Sequence, residues 1–348
     1  MAPHMNAILL LTLGLGTTLT VTSSHWLLAW MGLEINTLAI LPLMAHHHHP
    51  RAVEATTKYF LTQATAAATL LFASTTNAWL TGQWDIYLMS HPIPLTMIIF
   101  ALSLKIGLAP VHIWLPEVLQ GLTLTTGLIL STWQKLAPFA LLLQLPLQNQ
   151  PLTLVLGLTS TLIGGWGGLN QTQLRKVLAY SSVAHLGWML IIIQFAPSLT
   201  LLALATYLLM TSATFLTLKL KTSTTINTLA TSSTKIPALT AMFPLLLLSL
   251  GGLPPLTGFL PKWLILQQLT KESFPIIATF AALTALLSLY FYLRLSYTMT
   301  LTIFPNTPTI GPSWRLFFAR PSLFLSYMSI NASLLLPIAP AMVTITLH

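Results

Sequence analysis

Apolar runs separated by short polar breaks divide the chain into stretches near 4–22, 25–45, 59–80, 93–115, 122–146, 152–170, 177–195, 199–219, 238–270, 274–297 and 323–346. A helix needs about 20 apolar residues to cross a bilayer, so the pattern predicts about eleven membrane spans and an all-α, polytopic bundle. The ninth stretch is too long for one straight crossing and contains LSLGGLPPLTGFLPKW; Pro254 and Pro255 make it a single broken helix with an unwound or re-entrant centre. The fourth reads LSLKIGLAPVHIWLPE at its middle, where Pro110 removes a backbone donor and clashes with the preceding turn. Two interrupted spans, one in each half, suggest half-repeats over about 1–146 and 152–297 within one membrane domain, followed by a C-terminal helix over about 323–346.

Composition sharpens this picture. The 348 residues are 55% hydrophobic and 5% charged, with a mean hydropathy of +0.80, whereas soluble domains carry about 25% charged residues. That excludes a water-soluble fold. The net charge of +9 would suggest nucleic acid in a soluble protein, but no stretch combines clustered Lys and Arg with polar surroundings, so no nucleic-acid partner is expected. Topology accounts for the charge instead. With eleven crossings, Arg51, Lys58, Arg175, Lys176, Lys219, Lys221, Lys235, Arg294, Arg315 and Arg320 share the side of the N-terminus, and Lys271 stands on the other. The positive-inside rule then puts the N-terminus in the matrix or cytoplasm and the C-terminus opposite. The absence of cysteine rules out disulfides and cysteine-held zinc or iron–sulfur clusters in this chain. Residues 1–22 lack a basic leader region and the character of a transit peptide, so they read as a retained helix, made inside the organelle if the protein is mitochondrial.

Four charges do not fit the loops: Glu34, Lys105, Lys135 and Lys262 lie inside apolar stretches. Each costs about 2.5–3.5 kcal/mol at bilayer centre, so such residues face a bundle interior or a hydrated cavity. Static ion pairs or snorkelling are the plain alternatives. Lys135 is roughly 12 residues from either end of its span, about 18 Å at 1.5 Å per residue, which its stem does not cover. A buried lysine beside a movable glutamate is a proton switch, because an approaching carboxylate favours the ammonium and a retreating one releases its proton. His112, seven residues after Lys105, shares its face if the turn at Pro110 stays helical, and could relay a proton. His185 has Ser181 one turn before it; a packing hydrogen bond and a relay role both remain open.

Other signals have simpler readings. The run His46–His49 reads as an aqueous loop rather than a metal site, since Glu54 is the one carboxylate near it. Trp26, Trp79, Trp84 and Trp114 sit near span ends, as interfacial belt residues do. Glu117 suits the positive end of a helix dipole. GGWGGLNQ follows an apolar helix rather than a strand, so it reads as a close-packing patch and not a phosphate loop.

Several stretches together are specific: HWLLAWMGLEINTLAILPL around Glu34, ATTKYFLTQA at 55–64, TNAWLTGQWD at 76–85, LKIGLAPVHIWLPEVLQG at 104–121, GGWGGLNQTQLRKVLAYSSVAHLGWM at 164–189 and LSLGGLPPLTGFLPKWLI at 248–265. They resemble the antiporter-like membrane subunits of respiratory complex I, most of all the animal mitochondrial form, nearly end to end. The resemblance implies an inverted-repeat fold and a proton-pumping subunit of an NADH-driven ubiquinone reductase in the mitochondrial inner membrane. In it Glu34 and Lys105 form the coupled pair, Lys135 is the central relay and Lys262 the exit-half lysine. It also implies no cofactor in this chain, with NADH, FMN, iron–sulfur clusters and ubiquinone handled by partner subunits. The expected partners are the other membrane-arm subunits and the lipid bilayer, cardiolipin included. Longer bacterial relatives carry fourteen helices, of which this chain would lack the first three. An autonomous cation–proton antiporter, a structural scaffold and a quinone-site subunit are the rival readings.

Overall fold

The computed structural model describes residues 3–45, 49–147, 151–230, 237–301 and 323–338, with 341 and 344. Among them every regular element is helical; single bridges join His25 to Asp85 and Gln173 to Thr225. The chain separates into two compact units, Met1–Leu156 and Gly157–His348.

The first unit holds α1 (Pro3–Thr22), α2 (Trp26–Met44), α3 (Pro50–Thr81), α4 (Pro92–Ile106), α5 (Trp114–Gly121), α6 (Leu124–Ser131) and α7 (Trp133–Gln144). Pro50 and Pro92 open their helices, where the missing N–H would have no partner anyway. The helix α3 starts well before the apolar stretch expected at 59. The His49 ring accepts from the Arg51 N–H as an N-cap, and Glu54 pairs with Lys58 at 2.8 Å one turn on, carrying the helix into polar sequence. Helices α1 and α2 approach through two glycines. A Cβ on Gly16 would lie 2.9 Å from the Gly32 carbonyl, and one on Gly32 would lie 2.9 Å from the Gly16 carbonyl, so only glycine allows this contact.

The fourth expected stretch is two helices with a break at 107–113, the second running on to Gly121. Gly107 adopts φ 84°, and the N–H groups of Gly107 and Leu108 both return to the Ser103 carbonyl at 2.9 Å, which closes α4 with a left-handed cap. The fifth stretch, expected as one span, is also divided: α6 ends at Ser131 and α7 begins at Trp133. The Thr132 hydroxyl donates to the Leu128 carbonyl at 2.7 Å, competing with the backbone for it. Pro138, inside α7, offers no N–H to the carbonyl four residues earlier.

Helix α8 (Pro151–Gly168) runs across the boundary between the units. The second unit continues with α9 (Leu174–Ile192), α10 (Pro197–Lys221), α11 (Ile226–Ala230), α12 (Pro237–Gly251), α13 (Phe259–Lys271), α14 (Pro275–Thr300) and α15 (Leu323–Leu334), then a 3₁₀ turn at Leu336–Ile338. The rest of the stretch expected to 346 lies largely outside the described residues. The glycine patch packs tightly: Cβ atoms on Gly164, Gly165 and Gly168 would meet the Ala184 backbone N at 2.6 Å, Leu287 Cβ at 2.8 Å and the Phe291 ring at 2.7 Å.

The break between α12 and α13 repeats the first one residue by residue. Gly252 adopts φ 80°, and its N–H returns to Leu248 at 3.1 Å and Ser249 at 2.9 Å. GLAPVHIWLPE at 107–117 matches GLPPLTGFLPK at 252–262 in both glycine–leucine and leucine–proline pairs. The prolyl bonds Ala109–Pro110 and Pro254–Pro255 are cis at the matched position. The match ends on opposite charges, Glu117 in the first unit and Lys262 in the second. The Thr257 hydroxyl donates to the Ala332 carbonyl, tying the second break to α15. Trp79 is exposed, but Trp26 and Trp114 are buried rather than interfacial.

Candidate functional site

In the first unit Glu34 sits mid-way along α2, Lys105 in the last turn of α4 and Lys135 in the first turn of α7. Lys135 is 2% exposed and Lys105 6%. Both line one cavity, and Asn36 and Thr37 of α2, Tyr59 and Gln63 of α3, Trp114 of α5 and Gln134 of α7 line it with them. The cavity offers about 20 Å³ to the centre of a water molecule, and about 10–15 Å³ suffices for one. Its size is that of a single water.

The break shapes this cavity. Carbonyls at the end of α4 have no helical donors, and two are met by side chains: Trp114 Nε1 donates to the Leu104 carbonyl at 3.1 Å and Gln63 Nε2 to the Lys105 carbonyl at 3.4 Å. Trp114 is held edge-on against Tyr59, with ring centroids 5.7 Å apart. From α7, Gln134 Nε2 donates to the Asn36 carbonyl at 3.2 Å. The buried atoms with no hydrogen-bond partner within the chain include Lys105 Nζ and both polar atoms of the Asn36 amide, on residues that line the cavity, and Glu34 Oε2 two residues from Asn36 on α2. Each such group costs about 1–3 kcal/mol, so a set gathered at one place calls for a functional explanation. Glu34 and Lys105 form no closed ion pair, and Lys105 Nζ and Glu34 Oε2 are both left without a partner.

His112 lies in the break, its Nδ1 3.3 Å from the Pro110 carbonyl oxygen. Because α4 ends at Ile106, helical spacing does not carry from Lys105 to His112, and the imidazole is not among the groups lining the cavity. At the aqueous end of α3, Lys58 is gripped by Glu117 of α5 at 2.7 Å and by Glu54 at 2.8 Å. Hydrogen bonds to Glu117 and then Glu54 hold the Lys58 ammonium well above its ordinary pKa, and the bond to Lys58 holds the Glu54 carboxyl below its own.

In the second unit Lys262, in the first turn of α13, reaches back across the break. Its Nζ donates to the Gly251 carbonyl at 2.7 Å, placing an ammonium on the negative end of α12. Pro254 and Pro255 form the bend between them. His185, on α9, packs its ring 5.8 Å from that of Tyr207 on α10. The Ser181 hydroxyl donates to the Leu178 carbonyl.

Sequence reasoning missed two groups here. Lys221, assigned to a loop, is the last residue of α10 and 5% exposed, with Nζ 4.9 Å above the Phe243 ring and no hydrogen-bond partner. Tyr207, Thr211, Thr214 and Thr217 are buried on the same face of α10, a spacing visible in the sequence but carried by uncharged residues. Of the histidine run, His49 caps α3, and His46–His48 lie outside the described residues. Among the described residues no group of three His, Asp or Glu could hold a metal ion.

Residues 23–288 match the family described as NADH:quinone oxidoreductase/Mrp antiporter, TM, and residues 289–343 match the NADH dehydrogenase subunit 2 C-terminus. Relatives named NADH-ubiquinone oxidoreductase chain 2 are 70% identical over 345 residues in Tetraodon nigroviridis and 68% over 346 in Salmo salar, covering 99% of this chain and of each relative. A chain of respiratory complex I from Thermus thermophilus superposes with a TM-score of 0.85 at 28% identity, over 98% of this chain and 81% of that one. A chain of the Mrp complex from Dietzia has the same fold, with a TM-score of 0.83 at 16% identity over 97% of this chain and 75% of its own. The chain therefore belongs to the NADH-ubiquinone oxidoreductase chain 2 family, the antiporter-like membrane subunits of complex I.

Proposed function

We propose that the chain translocates protons as a membrane-arm subunit of NADH:ubiquinone reductase in the mitochondrial inner membrane, with electron transfer in other subunits driving it. Glu34 and Lys105 act as the coupled pair, Lys135 as the next carrier and Lys262 as the carrier of the second unit, with His112 and His185 as relay candidates. The observation that supports this most is the cavity shared by Lys105 and Lys135, beside a carboxylate that does not close on Lys105. A carboxylate not closed on the lysine can favour the ammonium or withdraw from it, which alternately loads and releases the proton. A static scaffold would instead favour a tight Glu34–Lys105 pair.

The cofactors of the enzyme, NADH, FMN, iron–sulfur clusters and ubiquinone, belong to partner subunits in this reading, and anionic lipid such as cardiolipin contacts the outer surface. The N-terminus faces the matrix and the C-terminus the intermembrane space. Lys105→Met keeps length and removes the buried charge, so the complex assembles while pumping and coupled quinone reduction fall sharply. Lys105→Arg keeps the charge but does not deprotonate, and it fails equally. NADH-driven quinone reduction and the proton gradient, at equal amounts of assembled complex, read the result; normal pumping by the Arg variant refutes the mechanism.

A further inference from the structure

Asn36 is the group in the first unit that the proton mechanism leaves unused. It is 2% exposed, it lines the Lys105–Lys135 cavity, and neither its Oδ1 nor its Nδ2 has a hydrogen-bond partner within the chain. Its placement is tightly defined. A Cβ on Gly16 would clash with Asn36 Oδ1 and meet its Cγ at 2.9 Å, so the amide oxygen lies against bare α1 backbone, and Gln134 donates to the Asn36 backbone carbonyl at 3.2 Å. That leaves an amide with an unpartnered donor on a cavity with room for about one water.

We infer that Asn36 is a positioning residue that binds and orients one water between Lys105 and Lys135, and that this water carries the proton from the first lysine to the second. The inference rests on the proton-translocation reading above. In the transfer, an N–H bond of the Lys105 ammonium breaks as its proton joins the water oxygen. A different O–H bond of the same water breaks as its proton joins the neutral Lys135 amine. Lys105 ends neutral, Lys135 ends as ammonium, and the water is restored. The Asn36 Nδ2 donates to a lone pair of the water, which aims an O–H at Lys135 instead of leaving the water free to rotate. Without the amide, the same water sits in the same space with no preferred direction.

Two substitutions separate polarity from packing in the assembled complex. Asn36→Leu fills nearly the same volume without a polar atom, and losing one orienting hydrogen bond slows coupled proton pumping by about tenfold. Asn36→Ser leaves a hydroxyl and keeps most of the activity. The solvent deuterium isotope effect on NADH-driven quinone reduction rises in the Leu variant and not in the Ser variant, which a purely structural role would not produce. Lys105→Met in the same membranes is the reference. If it abolishes pumping while Asn36→Leu assembles and pumps normally, or if Ser fails as badly as Leu, the inference about Asn36 is wrong and the broader reading stands. If Lys105→Met itself pumps normally, the broader reading fails first. Should Asn36→Leu not assemble, an experimental map of the wild-type complex decides: density for a water touching Asn36 and both lysines supports the assignment, and a dry cavity overturns it.

Discussion

Charge was the readable signal at the scale of single residues. Glu34, Lys105, Lys135 and Lys262 announce themselves because a charge in an apolar run is rare and costly, and three of the four lie at or next to a helix break. Asn36, Gln63 and Gln134 complete the cavity but are uncharged, and such residues occur in spans for many reasons, so nothing in the sequence separates them from packing groups. Lys221 was hidden differently: beside Lys219 at the end of an apolar run it looks like a positive-inside anchor, and only the fold shows that its side chain turns inward. Glycines at the breaks carry a sharper demand. Gly252→Ala places a Cβ in the left-handed region, about 1–2 kcal/mol for an L-residue, and sets that Cβ 2.9 Å from Lys262 Cδ and 3.0 Å from Nζ. The variant should lose about 2 kcal/mol or more, seen as a lower melting temperature and yield of complex. Gly14→Ala, whose Cβ meets nothing within 4 Å, is the neutral control.

At the scale of elements, prolines located two of the interruptions, since Pro110 and Pro254–Pro255 sit in runs otherwise long enough to cross. The third, at Thr132, has no proline at the break itself; Pro138 lies one and a half turns later, and a threonine in an apolar run is ordinary, so the stretch read as continuous. The residue-level match between the two breaks was present in the sequence but obscured, because Lys105 aligns with Leu250 while Lys262 aligns with Glu117. That shift of charge changes how each second half-helix is fastened. Helix α5 is held to α3 by Glu117–Lys58–Glu54 and by Gly121, whose Cβ would lie 2.6 Å from the Arg51 carbonyl. The ion triad is roughly half exposed, so each pair contributes little and weakens in salt. Because the Glu54 carboxyl is held below its ordinary range, its share is present at neutral pH and above, and disappears as pH falls through that lowered value. Glu117→Gln should therefore speed amide hydrogen exchange in α5 at low ionic strength, with the difference shrinking at high salt and no change in α13. Equal protection in wild type and variant at low salt would show that Gly121 packing alone holds the helix.

For the molecule as a whole, hydropathy and the lysine–arginine census carried membrane insertion and the number of stretches, and the helices other than the short α11 group onto those stretches once the halves are paired. Orientation in the bilayer is a separate question, answerable because the chain has no native cysteine. Single cysteines at 51 and 348 should label from opposite faces of the membrane, 51 from the matrix; labelling from one face would remove a crossing and with it the charge separation that motivated the topology. A larger consequence follows from Lys262 donating to the Gly251 carbonyl. The side chain proposed to carry a proton is also the bolt that joins α13 to the end of α12. As an ammonium it is drawn to that helix end by charge as well as by hydrogen bond; as an amine it keeps only the weaker bond. If Lys262 carries a proton, the stiffness of this joint becomes a readout of its occupancy, and load and shape are the same variable at this one contact.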